Sequence, residues 1–230
     1  MYMQRTIVPP MTFIPTVERY DLMPMLDRWL INTAFARFVE RYPPEMVQPV
    51  CSINLSGNSI GDDSFLLFIL NAFKTYNISP ASICFEITET AAIANLTQAT
   101  QLIESLKAIG CEFALDDFGS GISSFAYLKN LLVGYMKIDG SFFKVMMTDA
   151  TDHAMVDSIN RIGHVMGIQT VAEFVENEDI AQALRAMGVD YVQGYAVEKP
   201  RPAFEHSNVV DSHQFGTLIP ALSGLPAASL

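Results

Sequence analysis

Asn54, Glu86, Asp116 with Asp117, Lys137, Glu173 and Gln193 each stand where a short apolar run ends, and most of them are carboxylates. The preceding runs, CSI, SICF, EFAL, GYM, QTVA and DYV, are rich in the β-branched and aromatic residues that suit strands. Intervals of 32, 30, 21, 36 and 20 residues separate the marked positions, room for a strand, a crossover helix and two loops. When parallel strands form a barrel their C-terminal ends converge on one mouth, so a polar residue in each repeat makes a single pocket. Glu176, close behind Glu173, brings the acids able to share that mouth to five with Glu86, Asp116 and Asp117. Crowded like charges raise each other's pKa and destabilise the fold unless they share protons or cations, so the set points to hard divalent ions with oxygen ligands. Magnesium or manganese suits it, and the lack of His and Cys disfavours zinc. Lys137, in KIDG, would act as a point charge that holds a phosphate oxygen or positions a water.

Each residue alone has a plainer explanation. Asn54 in INLS could cap a helix or turn, and Glu86 and Glu89 in FEITET could be solvated ends of an edge strand. Lys137 could be a buried structural partner of one acid. Recurrence at equivalent strand ends favours a shared site. Adjacent strand residues face opposite sides, so Asp116 and Asp117 reach one site only where the strand breaks. Phe118-Gly119-Ser120-Gly121 is the expected break, with two glycines free to take positive φ and Ser123 as a helix cap. Its GxG is a weak phosphate-loop signal, because Ser124 stands where a dinucleotide fingerprint needs glycine.

Helices must return the chain between these strands. Ala99, Leu102, Ile103, Leu106 and Ile109 share one helical face, closed by Gly110; Ile180, Ala183, Leu184 and Met187 repeat the pattern before Gly188. Met155, Ile159, Ile162 and Met166 are the expected buried face of a third helix, with Asp157, Asn160, Arg161 and a solvated His164 opposite. Further helices are expected over Pro24 to Glu40 and Asp62 to Tyr76. Alternating β and α elements imply a parallel sheet. A doubly wound open sheet satisfies the same alternation, but it gathers its chemistry at one switch point, so contributions from every strand favour the barrel.

The chain has 230 residues, half of them apolar, enough for one domain with a large core. Cys51, Cys84 and Cys111 lack metal or redox spacing and read as core residues of a reducing compartment. The longest apolar run, Phe65 to Leu70, is too short to span a membrane, and no signal peptide is read at the start. A net charge of −11 argues against a duplex nucleic-acid footprint. It leaves a small anionic ligand open, because bound cations reverse the local field. From residue 201 to 230 the pattern loses its period, and this part is read as a tail or linker remnant.

The segments FIPTVERYDLM, INLS, FEITET, ALDDFGSGISS, MKIDGSF, VAEFVE and VQGYAVEKP closely resemble the EAL domain family, in order from about Val8 to Pro200. The resemblance implies a modified TIM barrel over residues 1–200 that hydrolyses cyclic di-GMP to linear pGpG with two divalent ions, Mg²⁺ or Mn²⁺. It implies Asn54, Glu86, Asp116 and Glu173 as metal ligands, Asp117 for the second metal, and Lys137 steering the attacking water. Gln193 would touch substrate or a metal-bound water. Glu176 and Glu89 resemble residues that fix the edge of the site and the loop of Gly119, Ser120 and Gly121.

Two departures stand out. The family's namesake motif, with its metal-binding glutamate, belongs on a first strand ahead of Pro9-Pro10 that this chain lacks, and Phe174 replaces a more usual glycine. A missing stave exposes strand edges. Cover is expected from the N-terminal residues, from the tail beyond Pro200 or from a second copy in a homodimer. Two functions stay open: a weakened phosphodiesterase, and a cyclic di-GMP-binding module without turnover. Either belongs in the cytoplasm, alone or as part of a larger signalling protein.

Overall fold

The computed structural model describes residues 8–119, 125–144, 146–199 and 219–220. Strands β1 (Cys51–Leu55), β2 (Ile83–Thr88), β3 (Glu112–Phe118), β4 (Tyr135–Ile138), β5 (Gln169–Ala172) and β6 (Tyr191–Val192) make one sheet. Each pairs in parallel with its successor. Strictly sequential order is barrel order, whereas a doubly wound sheet reverses at its switch point. The fold is therefore α/β of the TIM-barrel type. A seventh strand, β7 (Ile219–Pro220), lies antiparallel on β6, so the tail supplies cover at that edge. Among the described residues, no strand pairs with the outer edge of β1.

Helices α1 (Pro10–Arg19) and α2 (Met23–Arg41) precede the sheet. Then α3 (Gly57–Ile60) and α4 (Phe65–Tyr76) follow β1, α5 (Glu89–Ala94) and α6 (Leu96–Lys107) follow β2, α7 (Ala150–Val165) follows β4 and α8 (Glu178–Ala186) follows β5. One apolar core joins the inner faces of α2 to α8 to the sheet and includes Cys51 and Cys111; all three cysteines are free and buried. Among the described residues no helix is long and apolar enough to cross a membrane.

Three helices differ from expectation. No helix was expected over α1, whose interior Pro15 and lack of any buried residue remove the usual signals. The start of α4 falls three residues late because the Asp62 carboxylate accepts from the Ser64 N–H at 2.9 Å and from its hydroxyl at 2.7 Å, holding a turn. On α7 the buried face is Val156, Ile159, Asn160 and Gly163, with Met155 exposed. Gly163 lets the helix approach Thr170 and Met136 closely, and Asn160 is buried because its amide donates to the Met187 carbonyl at 3.0 Å. His164 is half-exposed and lies 2.9 Å from the Asp190 carboxylate.

Asp27 on α2 fixes the tip of β1. Its buried Oδ2 accepts from the Ser56 N–H at 2.9 Å and from the Ser56 and Ser59 hydroxyls at 2.6 Å each. Asp27→Ala strands three donors and is expected to cost about 3 kcal/mol, read as a lower urea midpoint at unchanged m-value.

Candidate active site

Lys137 on β4 gathers the acids. Its Nζ lies 2.7 Å from Glu86 Oε2 on β2, 3.0 Å from Asp116 Oδ1 on β3 and 2.8 Å from Glu173 Oε1 just past β5. All four side chains are buried, so Glu86 is not the solvated strand end of the plainer reading, and Lys137 meets three acids rather than one. Burial alone would favour a neutral amine, but Glu86, Glu173 and Asp116 outweigh it and hold Lys137 as an ammonium. Burial raises the Glu173 carboxyl, Lys137 opposes and Asp116 reinforces; the result is a pKa pushed up to about 7.

Asp116 and Asp117 reach the same site because the strand breaks between them and their partner strand. The register against β4 shifts between Leu115 and Phe118, and Asp117 takes a left-handed backbone with φ 53. Its N–H donates to Asp116 Oδ1 at 3.0 Å. The break thus begins at Asp117 itself, ahead of the glycines expected to make it. One oxygen each from Asp116, Asp117 and Glu173 lies within 4.8 Å of the others. Burial, Asp116 and Asp139 raise the Asp117 pKa against the pull of Lys137.

Behind this cluster, Glu89 is buried and holds the start of the following loop. Its Oε2 accepts the Gly119 N–H at 3.0 Å and its Oε1 accepts the Tyr127 hydroxyl at 2.6 Å. Tyr127 had no sequence signal, since an aromatic in SSFAYLKN reads as core. Ser120, Gly121 and Ser123 lie outside the described residues.

Asn54 is the register partner of Glu86 at the tip of β1, and it is exposed. Gln193 and Glu176 line a pocket of about 370 Å³ with Glu173, Phe174, Gly194, Tyr195 and Glu198. Two loops build its wall: the Val175 N–H donates to the Gln193 carbonyl at 3.0 Å, and the Ala196 N–H to the Val175 carbonyl at 2.9 Å. Gly194, at φ +151, makes this approach possible, because a Cβ there would overlap the Val175 backbone. Gly194→Ala is expected to cost at least about 2 kcal/mol, read as a lower thermal midpoint.

Four carboxylates (Glu86, Asp116, Asp117 and Glu173) against one ammonium leave a formal charge of −3 when all are ionised. That all-oxygen donor set fits a hard divalent cation. Without one, folding favours protonated Glu173. Its contribution to stability is complete below the ordinary pKa of 4.5 and is lost as pH rises through about 7. Metal-free wild type is therefore expected to lose stability relative to Glu173→Gln between about pH 5 and about pH 8, in urea titrations at the two values.

Sequential parallel strands with a buried acidic cluster at one end define a TIM-barrel-type domain with a polar mouth. The family model described as "EAL domain" matches residues 3–200, and the chain belongs to the EAL domain family. It is 44% identical over 197 residues to the Cyclic di-GMP phosphodiesterase PdeB of Shewanella oneidensis, covering 85% of this chain and 23% of that protein. Identity to the Cyclic di-GMP phosphodiesterase PdeF of Escherichia coli K12 is 33% over 205 residues, covering 89% and 27%. The chain thus spans about a quarter of the length of these relatives. A solved PaMucR phosphodiesterase in complex with c-di-GMP superposes with a TM-score of 0.78 at 27% identity, covering 88% of this chain and 82% of that one.

Proposed function

We propose that this chain is a metal-dependent phosphodiesterase that opens cyclic di-GMP to linear pGpG. The observation that carries the reading is the convergence of Asp116, Asp117 and Glu173 oxygens beside the Lys137 ammonium. Asp116, Asp117 and Glu173 would hold Mg²⁺ or Mn²⁺, joined by Glu86 and by Asn54 at the neighbouring strand tips. Such ions, when bound, acidify a water and neutralise a phosphodiester. Lys137 adds a fixed positive charge where negative charge develops, and it orients the attacking water. Gln193 and Glu176 contact the nucleotide along the pocket wall. Glu89 holds Gly119 by its N–H, and the proposal includes Ser120 and Gly121 among the residues that meet substrate. The relatives named as cyclic di-GMP phosphodiesterases support the substrate assignment.

A binding module without turnover is the second reading. Its support is that Lys137 already pairs with three of the acids, which lets the site persist without cations. Incubating the chain with cyclic di-GMP and Mn²⁺ and separating the products decides between them. Release of pGpG that stops on adding a chelator supports the enzyme; tight binding without product supports the module.

The same proposal assigns residues 1–200 to the domain, with the family match to residue 200 as support, and 201–230 to a tail. It places the chain in the cytosol. It includes a homodimer that shields the open edge of β1, for which light scattering would report twice the chain mass.

A further inference from the structure

Tyr127 and Glu89 are polar groups whose burial packing alone does not explain. The Tyr127 ring belongs to the apolar core, where phenylalanine would pack without carrying a hydroxyl inside. Glu89 opens α5, whose N-terminus is already capped by Thr88, which accepts the Ala91 N–H at 3.3 Å. An acid in a first helical turn does its work from the solvent side, yet Glu89 is 3% exposed. Burial makes it a bridge. One carboxylate holds the chain at two distant places: its Oε2 accepts the Gly119 N–H, and its Oε1 accepts the hydroxyl of Tyr127, the first residue of a short 3-10 helix, Tyr127–Asn130. Burial and the carboxylate itself push the Tyr127 pKa above its ordinary value, so the hydroxyl stays a donor.

Gly119 is where the bridge meets the chemistry. It lies two residues beyond Asp117, whose left-handed backbone brings its carboxylate to those of Asp116 and Glu173. Besides its bond to Glu89, Gly119 is seated against a ring: at φ +92, a Cβ on it would lie 2.8 Å from Phe142 Cε2. The intervening Phe118 is fully buried, and its carbonyl accepts the Asp139 N–H at 3.2 Å. With both residues after Asp117 tied down, the direction of its carboxylate follows from where Gly119 is held. We propose that Tyr127 is a positioning residue for the metal site, acting through Glu89 and Gly119 to aim Asp117, a role that rests on the functional reading above. It touches neither ion nor substrate.

The test measures Mn²⁺ affinity by electron paramagnetic resonance of the free ion, without substrate, alongside thermal midpoints. Tyr127→Phe keeps the ring and removes the hydroxyl, and is expected to weaken Mn²⁺ binding about tenfold, as loss of a group that orients metal ligands does. In Glu89→Ala, where the bridge is already cut, adding Tyr127→Phe should change the affinity by less than about twofold. A hydroxyl that serves folding alone would lower the midpoint and leave Mn²⁺ affinity unchanged; that result, or an equal effect with and without Glu89, overturns the positioning role. Amide exchange on wild type needs no variant to fold: the Gly119 N–H should be protected as strongly as the amides of β3, and exchange at the rate of a solvated turn overturns the bridge. A wild-type chain that binds no Mn²⁺ overturns the functional reading and this role together. Wild type that binds Mn²⁺, matched by Tyr127→Phe, overturns the role alone.

Discussion

Asp116→Asn is expected to lower kcat for cyclic di-GMP by about 10³-fold or more, on the scale of losing a preorganised electrostatic contact at the reacting centre. The substitution is isosteric and keeps an oxygen able to accept the Asp117 N–H, so the bulge that aims Asp117 survives. What is lost is a charge shared between the Lys137 ammonium and the carboxylate cluster. Mn²⁺ affinity should fall with turnover, and circular dichroism should show the fold retained. A variant that keeps full activity would remove Asp116 from the chemistry.

Lys137→Ala is expected to have the largest combined effect. Removing the ammonium leaves Glu86, Asp116 and Glu173 buried without their common counter-charge, and breaking buried pairs from one side costs about 3–5 kcal/mol. The metal-free variant should therefore unfold at much lower urea than wild type. Added Mn²⁺ should recover more stability in the variant than in wild type, because a bound cation replaces the missing charge and stabilises by linkage. At saturating metal, turnover should remain about 10²-fold down while cyclic di-GMP affinity changes little, since charge at the reacting phosphate acts in the transition state. Equal loss of binding and turnover would contradict that role.

The sheet was legible because each strand carries a compact apolar signal followed by a polar residue with no reason to sit in a core. Glu86, Asp116, Lys137 and Glu173 could be paired in advance because parallel strands in sequence order admit one register of their ends, and the three acids do meet at Lys137. What escaped was geometry set by tertiary contact. The rotation of α7 depends on Gly163 fitting against Thr170 and Met136, partners distant in sequence. Asp117 adopts positive φ where glycine would be the expected choice, so the break was placed one residue late. Tyr127 serves Glu89 across a separation of 38 residues, which no local pattern encodes. Asn54 was visible as a strand end, and it stands at the tip of β1 in register with Glu86.

Anomalous diffraction from crystals soaked in Mn²⁺ tests the central claim most directly. The account requires a manganese peak within about 2.5 Å of carboxylate oxygens from Asp116, Asp117 and Glu173 together, weakened in Asp116→Asn. Manganese bound elsewhere, with these three acids unoccupied under conditions that support cleavage of cyclic di-GMP, would contradict it.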